Sequence, residues 1–204
     1  MTFLYDIVNF QFVLIFSFWV MYYLRLDVLK SFLVLGHLSV IFILNDVLFE
    51  PSYWPDQFAY LEMTQSIREK ILSLSFYSME YNLRIWLPSF GFAFSPIPFI
   101  NSVQSIAMIN FLLYLSSFFY LRQKRISSNS IDFIFLLYPS FLLYSSLALR
   151  EVIITIFMVL SLYFLLVEEK RLMALIFSLP LIIIKIQNFL IFFLTYVTYT
   201  FLRK

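Results

Sequence analysis

Long apolar runs with almost no charged residues recur along the whole chain, and they limit its fold more than any other feature. Seven such stretches can be marked, namely Ile7–Leu24, Ser31–Phe49, Ser105–Leu121, Ile131–Leu149, Val152–Val167, Leu172–Ile184 and Phe189–Leu202. A helix that crosses a membrane needs about 20 consecutive, mostly apolar residues. The sixth stretch is the shortest and would span only ~20 Å as a helix. The pattern predicts an all-α, polytopic transmembrane helix bundle of about seven spans, with residues 1–204 forming a single transmembrane domain.

The composition excludes most soluble classes of protein. Hydrophobic residues make up 62% of the 204 residues and charged residues only 13%, whereas a soluble domain has roughly 45–50% apolar and about 25% charged residues. The net charge of +2 is small and the basic residues lie in short loops, so no nucleic-acid partner is expected. Cysteine is absent, which excludes disulfides and thiolate chemistry, and two glycines are too few for a phosphate-binding glycine loop.

The basic residues orient the predicted bundle. They lie between the first two spans, after the third, after the fifth and at the end of the chain: Arg25, Lys30, Arg122, Lys124, Arg125, Lys170, Arg171, Arg203 and Lys204. Because cytoplasmic loops carry an excess of Lys and Arg, all four sites are predicted to be cytoplasmic, with the amino terminus outside. The outward connections are then a loop at about 50–104, the Arg150–Glu151 turn and the Lys185–Asn188 turn.

The long outward loop contains two apolar segments. In Asp56–Phe76 the apolar residues recur at three- and four-residue steps and form one stripe: Tyr60, Met63, Ile67, Ile71 and Leu74. The charged residues lie largely off that stripe: Glu62, Arg68, Glu69 and Lys70. This run predicts an amphipathic helix in the membrane interface. Trp86–Ile100 contains three prolines, which would break a lipid-exposed helix, so it is predicted to be re-entrant or surface-lying rather than a span.

Asp56 is the candidate catalytic carboxylate of the outward loop. It lies at the predicted start of a helix, where the helix dipole favours a carboxylate, so a helix cap is one interpretation. The other is a general base or metal ligand at the outer membrane face, and the two are compatible. No cofactor is expected, although a divalent metal here stays open. Asp46 and Glu50 form a second acidic pair that solvation at a helix end explains, and the lone His37 is expected to pack rather than bind metal.

Two further polar turns interrupt the apolar sequence. Arg150 and Glu151 lie between two spans with no real loop, where ionisable groups are usually paired and often functional. A minimal neutral turn is one interpretation; in the other, Arg150 binds a phosphate in bidentate fashion and Glu151 orients it. Lys185, Gln187 and Asn188 form a polar segment between the last two spans. Snorkelling of Lys185 to the interface explains this segment, as does a broken-helix site where a cation and two amides meet a substrate.

All three outward turns bring polar groups to one membrane face, as a lipid-phosphate substrate would require. Asp56 would take a proton from an acceptor hydroxyl. Arg150 and Lys185 would stabilise a departing phosphate.

The order of these motifs resembles that of a known family. Along the chain stand Asp56-x-x-x-Tyr60, Pro98-Phe99, Tyr138-Pro139-Ser140, Ser146-Leu147-Ala148-Leu149-Arg150-Glu151 and Lys185-x-Gln187-Asn188. This order is similar to the amino-terminal part of bacterial polysaccharide polymerases of the Wzy type and of related membrane glycosyltransferases that use polyprenyl-phosphate donors, which usually have more spans. In that resemblance Asp56 is an acid/base candidate. The predicted site has Asp56 and Glu151 as catalytic residues and five substrate-binding residues: Tyr60, Arg150, Lys185, Gln187 and Asn188.

The expected function is glycosyl transfer or polymerisation in surface-polysaccharide biosynthesis, at the outward face of the bacterial inner membrane. The expected partners are a polyprenyl-(pyro)phosphate-linked sugar, the lipid bilayer and other membrane subunits of polysaccharide assembly. A flippase or transporter is an alternative, but it predicts a continuous polar path, and the first, third and fifth spans carry almost no charge. A third interpretation is a non-enzymatic subunit or regulator of a larger polymerase, which predicts a stoichiometric partner.

Overall fold

The computed structural model describes residues 2–49, 53–74, 82–124, 126 and 128–203, and each regular element in these ranges is helical. In chain order the helices are α1 (Thr2–Tyr23), α2 (Val28–Phe42), α3 (Asp56–Ser73), α4 (Leu83–Ala93), α5 (Val103–Gln123), α6 (Asn129–Leu137), α7 (Pro139–Ser145), α8 (Glu151–Leu166), α9 (Arg171–Ile184) and α10 (Ile186–Leu202). A π-helical segment, Ile43–Leu48, extends α2 without a break. The predicted all-α fold is confirmed for this part of the chain. Outside it lie Glu50, the side chain of its predicted partner Asp46, Phe76, Arg125 and Lys204.

Three helical stretches in the described ranges are long and apolar enough to cross a membrane: Leu4–Tyr23, Val28–Asn45 and Val103–Gln123. They correspond to the first three predicted spans. The helices α8, α9 and α10 are also apolar but shorter. With 14 residues, α9 is about 21 Å long, close to the length predicted for the sixth span. The chain therefore has the helices of a membrane protein, three of them of crossing length.

The fourth predicted span is not one continuous helix. Pro139 separates α6 from α7, and the chain is irregular again between α7 and α8. Because proline has no N–H group, the helical hydrogen bond to the carbonyl of Phe135 is lost, and the carbonyl of Leu136 faces the unpaired first turn of a new helix. Two side chains replace the missing donors. The hydroxyl of Tyr114 donates to the Phe135 carbonyl and Nε2 of His37 to the Leu136 carbonyl, each at 2.6 Å, in keeping with the packing role predicted for this histidine.

The connection predicted to face outward contains α3 and α4, which pack against each other. Helix α3 begins at Asp56 as predicted, but it ends at Ser73, and Leu74 follows in the left-handed conformation with φ 54°. The buried stripe differs from the predicted one and consists of Gln57, Tyr60, Thr64 and Ile67, while Leu74 is 82% exposed. The prediction was right for Tyr60 and Ile67 and wrong for the rest of the stripe. The buried face is more polar than predicted because Gln57 accepts a hydrogen bond from the Ala148 N–H, while the Thr64 hydroxyl donates to the Tyr60 carbonyl of the same helix.

Helix α4 contains Pro88, contrary to the expectation that proline would break this segment. The proline lies in the second turn, where the carbonyl that loses its donor is that of Arg84, close to the helix start. The other two prolines, Pro96 and Pro98, lie in the irregular segment that leads to α5. With 11 residues, α4 is not among the helices of crossing length.

Helix α5 lies at the centre of the bundle, where it packs against α1, α2, α3, α7 and α8. Ile106, Phe111 and Leu115 on this helix are fully buried. Helix α10, in contrast, buries only Phe192, which joins a small second core between α8, α9 and α10. The polar groups that α5 carries are therefore held in the interior.

Residues predicted to share the cytoplasmic side gather at one end of the bundle. The buried carboxylate of Asp132 pairs with Lys30 at 3.3 Å and with Arg122 at 3.1 Å. Further ion pairs at this end join Lys170 to Glu168 and Arg203 to Glu169, and Lys124 is near enough to act on Glu168 electrostatically. At the opposite end, Ser102 donates a hydrogen bond of 2.5 Å to Asp6. The shared end agrees with the predicted orientation, and which face is cytoplasmic stays a prediction.

Candidate functional site

At the end of the bundle opposite the basic residues, the first turns of α3 meet the start of α8. Tyr60 is only 3% exposed, and the guanidinium of Arg150 lies close enough to its hydroxyl to favour the ionised phenol. The carboxylates of Glu151 and Asp56 also act on Tyr60 electrostatically, so both lie near it. Four predicted site residues thus form one group, which we name the Tyr60 cluster: Asp56, Tyr60, Arg150 and Glu151.

The phenol of Tyr60 stays protonated near neutral pH. Burial raises the pKa of Tyr60 to about 12, Arg150 acts in the opposite direction, and Glu151 and Asp56 add to the rise. An unperturbed tyrosine has a pKa of about 10. Tyr60 can therefore donate and accept hydrogen bonds in this cluster, but it cannot serve as a base at neutral pH.

A cavity of about 460 Å³ adjoins the Tyr60 cluster. Its walls come mainly from α5 and α8, with further residues from α6, α7, α10 and the link between α9 and α10, and are mostly apolar. The wall formed by α8 runs from Glu151 to Leu160, a rise of roughly 14 Å. Ser116 on the α5 wall is exposed, so the cavity opens on the side of the bundle. We name this feature the apolar cavity.

The charged and amide groups of the apolar cavity lie at the end formed by the start of α8 and the end of α9. Lys185 joins α9 to α10 and is half-buried, and both Lys185 and Asn188 line the cavity together with Glu151. Gln187 is exposed and is not part of the cavity wall. The structure therefore brings all predicted site residues except Gln187 into two adjoining features, and Glu151 belongs to both.

Glu151 has an unused acceptor at this junction. Its Oε2 atom is buried and has no hydrogen-bond partner among the described residues. A buried oxygen of this kind is costly unless something pairs with it. In contrast, Asp56 is exposed at the first residue of α3, where it also faces the positive end of the helix dipole. Of the two predicted catalytic carboxylates, Glu151 has the more enclosed position.

Arg68, which was predicted to lie largely off the apolar stripe of α3, has a role that was not predicted from the sequence. Its guanidinium donates hydrogen bonds to the carbonyls of Ser95 at 2.8 Å, Ile97 at 2.9 Å, and Ala93 and Pro98 at 3.3 Å. Burial lowers the pKa of Arg68. An irregular proline-containing segment needs donors for its carbonyls, and that requirement is the signal that could have identified this arginine.

Three buried carboxamides form hydrogen bonds to the turn before Arg150, and none of these contacts was predicted: Asn45, Gln57 and Asn110. Two of these amides interrupt predicted apolar spans, and a polar residue in such a position was a readable signal.

The described residues do not form a metal site. Within the described ranges, no group of three or more His, Cys, Asp or Glu side chains is placed to hold a metal ion.

Comparison with known proteins gave no match: no family model, no curated protein and no solved structure matches this chain. The likeness to Wzy-type polymerases stays a prediction from short motifs. Assignment of a function therefore depends on the geometry of the Tyr60 cluster and the apolar cavity.

Proposed function

We propose that this chain is an inner-membrane protein of bacterial surface-polysaccharide assembly that transfers or polymerises sugars linked to polyprenyl (pyro)phosphate at the outward membrane face. One observation carries the proposal. Glu151 borders both the Tyr60 cluster and an elongated apolar cavity that opens to the side of the bundle, with Lys185 and Asn188 at the same end. An isoprenoid chain needs an apolar channel, and its phosphate needs cations and donors where that channel ends.

The proposed roles follow from this placement. The lipid chain would lie along α5 and α8, and its phosphate would meet Lys185 and Arg150. Asp56 or Glu151 would accept the proton of an acceptor hydroxyl, whose oxygen attacks the anomeric carbon of the donor sugar. The bond between that carbon and the phosphate oxygen breaks, and the leaving lipid (pyro)phosphate keeps the electron pair, stabilised by the two cations. Tyr60 would hold the Arg150 guanidinium and contact the substrate.

We further propose that seven helical runs cross the bilayer, with the amino terminus outside. Support comes from the two polar ends of the bundle. The basic residues gather around Asp132 and Glu168, while the Tyr60 cluster lies at the other end. Helices α8, α9 and α10 alternate in direction between these ends because single residues or short turns join them. Short spans are accommodated by local thinning of the bilayer or by packing.

The functional test is polymer formation in cells whose surface polysaccharide depends on this chain, with protein levels matched. We expect Asp56→Asn, Glu151→Gln and Arg150→Ala each to shorten or abolish the polymer. Glu62→Gln is the matched control, because Glu62 is an exposed carboxylate on the same helix as Asp56. Normal chain lengths in all three site variants would reject the proposed function.

A second test measures lipid binding without turnover. The full chain in nanodiscs is titrated with a polyprenyl phosphate, and binding is followed by native mass spectrometry. Loss of one hydrogen bond to a charged group weakens binding roughly 10- to 100-fold, so we expect Lys185→Met to have this effect. Gln187→Ala is the control, because Gln187 lies two residues away and outside the cavity. Equal binding by both variants would remove Lys185 from the site.

A further inference from the structure

The turn between α7 and α8, residues 146–150, is irregular backbone buried inside the bundle. Ser146, Leu147 and Ala148 are each 0% exposed, and the turn ends at Arg150 and Glu151, which belong to the Tyr60 cluster. Backbone N–H and C=O groups without helical partners are costly in a membrane-embedded interior, so other groups must pair with them. Side chains from other helices supply these partners.

Two buried amides hold the middle of this turn. Nδ2 of Asn110 on α5 donates to the carbonyls of Leu147 and Leu149, both at 2.6 Å. Oε1 of Gln57 on α3 accepts a hydrogen bond from the N–H of Ala148 at 2.7 Å. The carbonyls of Leu147 and Leu149 are thus held by α5, and the N–H of Ala148 between them is held by α3.

A third amide holds the start of the turn. Nδ2 of Asn45 donates to the Ser146 carbonyl at 2.9 Å and to the Ile41 carbonyl on its own helix at 2.7 Å. Asn45 belongs to the π-helical end of α2, and single-turn π segments are frequent at functional sites. The wider turn leaves the Ile41 carbonyl able to accept from the side chain, which fixes the orientation of this amide.

We propose that Asn45, Gln57 and Asn110, together named the amide clamp, are positioning residues for the Tyr60 cluster. They come from three different helices, yet their hydrogen bonds end on four consecutive residues, 146–149. Arg150 and Glu151 follow immediately, so the clamp sets where both side chains begin. With the turn fixed, Arg150 reaches Tyr60 while Glu151 borders the apolar cavity. The use of this device rests on the proposed function, but the device itself is testable without any activity.

Positioning by a rigid supporting layer is a general requirement of binding and catalytic sites. A side chain that is displaced by about 1 Å loses much of its effect. The turn has no regular structure of its own, and an irregular segment moves readily unless other groups hold its backbone. Amide side chains suit the task, because an amide offers either a donor or an acceptor and is neutral when buried. Asn110 uses its donor and Gln57 its acceptor, while Oδ1 of Asn110 and Nε2 of Gln57 have no partner among the described residues.

The test uses the absence of cysteine from the chain. Leu149→Cys places one thiol at a buried position of the turn, 8% exposed in the native chain, where a small thiol reagent reacts only when the turn opens. The full chain is reconstituted in nanodiscs, and the labelling rate is measured. Loss of one buried hydrogen bond favours opening by about tenfold, so we expect Asn110→Leu and Gln57→Met to raise the rate by that factor.

A matched variant separates positioning from general stability. Asn9→Leu is the matched control, because Asn9 is an equally buried amide that donates to the Phe99 carbonyl at 2.7 Å in another part of the bundle. We expect it to leave the labelling rate unchanged to within about twofold. Unchanged labelling in both clamp variants, or an equal rise in Asn9→Leu, would overturn the proposal.

The result is independent of the proposed reaction. If Asp56→Asn, Glu151→Gln and Arg150→Ala all leave polysaccharide length normal, the proposed function fails, while the labelling rates still decide whether the clamp fixes the turn. If Arg150→Ala abolishes the polymer but Asn110→Leu and Gln57→Met do not reduce it despite fast labelling, the positioning role is rejected.

Discussion

The imidazole of His37 lies stacked on the ring of Tyr114, with ring centroids 5.1 Å apart and planes 11° from parallel. His37 donates a hydrogen bond to the carbonyl of Leu136, and Tyr114 donates one to the carbonyl of Phe135. Both carbonyls lie just before Pro139, which interrupts the helix. Because a carbonyl oxygen can only accept, Nε2 of His37 carries the proton. The two stacked rings therefore hold the break between α6 and α7 in one conformation, and this break leads into the turn that carries Arg150.

The first prediction concerns this pair. His37→Phe keeps an aromatic ring against Tyr114 but leaves the Leu136 carbonyl buried without its donor. We expect a loss of about 1–3 kcal/mol in the free energy of unfolding, measured by denaturant titration in detergent. Tyr114→Phe should cost a similar amount by the same mechanism. An unfolding free energy unchanged in both variants would mean that these carbonyls find other partners.

The second prediction concerns the charge network at the basic end. Asp132→Asn removes the buried one of the two carboxylates that pair with Lys30, which is 2% exposed, and Asp27 remains paired at 3.2 Å. Removal of one partner from a buried ion pair costs about 3–5 kcal/mol when the other charge is left uncompensated. Because Lys30 keeps Asp27, we expect a loss of up to about 3 kcal/mol in thermal or chemical unfolding. Asp27→Asn is the control, because the Asp27 carboxylate is half-exposed and should contribute less than about 1 kcal/mol. The double variant Lys30→Met/Asp132→Asn should cost less than the sum of the single changes.

The third prediction concerns pH. The pKa of Tyr60 in the folded chain is about 12, above its value of about 10 in an unfolded chain. The folded state therefore favours the protonated phenol, and this contribution is complete below about pH 10 and is lost as pH rises toward 12. We subtract the tyrosinate absorbance of Tyr60→Phe from that of the native chain at each pH. The difference should show one group that titrates near pH 12. A difference signal near pH 10 would contradict the enclosed position of this phenol.

The fourth prediction concerns the segment between α4 and α5. Arg68→Met removes the donors of four carbonyls in residues 93–98, and we expect faster amide hydrogen exchange in residues 93–102. Arg68→Lys should not restore protection, because an ammonium group cannot reach several carbonyls in the plane of a guanidinium. Glu69→Gln, an exposed neighbour on the same helix, should leave the exchange rates as they are.

The fifth prediction concerns orientation. Single cysteines at positions 56 and 185 should react with a membrane-impermeant reagent in intact cells. Cysteines at positions 124 and 170 should react only after the membrane is permeabilised, because the basic residues are expected on the cytoplasmic side. If position 56 and position 185 were found on opposite sides, Asp56 and Lys185 could not serve one substrate.

Much of the fold could be predicted from the sequence because it depends on local properties. The length and apolar character of a run decide whether it forms a helix that avoids water, and the predicted second, third and fifth spans coincide closely with helices. The failures came where contacts decided the outcome. The buried face of α3 differs from the predicted stripe because Gln57 on this face forms a hydrogen bond with the turn at 146–150. Pro88 lies inside α4 because a proline near the start of a helix costs less than one in its middle.

The candidate site divides in the same way. Charged residues between apolar runs were sufficient to select Asp56, Arg150, Glu151 and Lys185, because a charge beside a membrane needs a reason wherever the chain folds. Three features depend on tertiary structure alone. Gln187 is exposed outside the wall of the apolar cavity, Glu151 borders both this cavity and the Tyr60 cluster, and three amides from different helices meet one turn. Gln57 and Ala148 are 91 positions apart, and no periodicity in either segment encodes their contact. Such a hydrogen bond forms only when packed helices bring together two polar groups that cannot reach water.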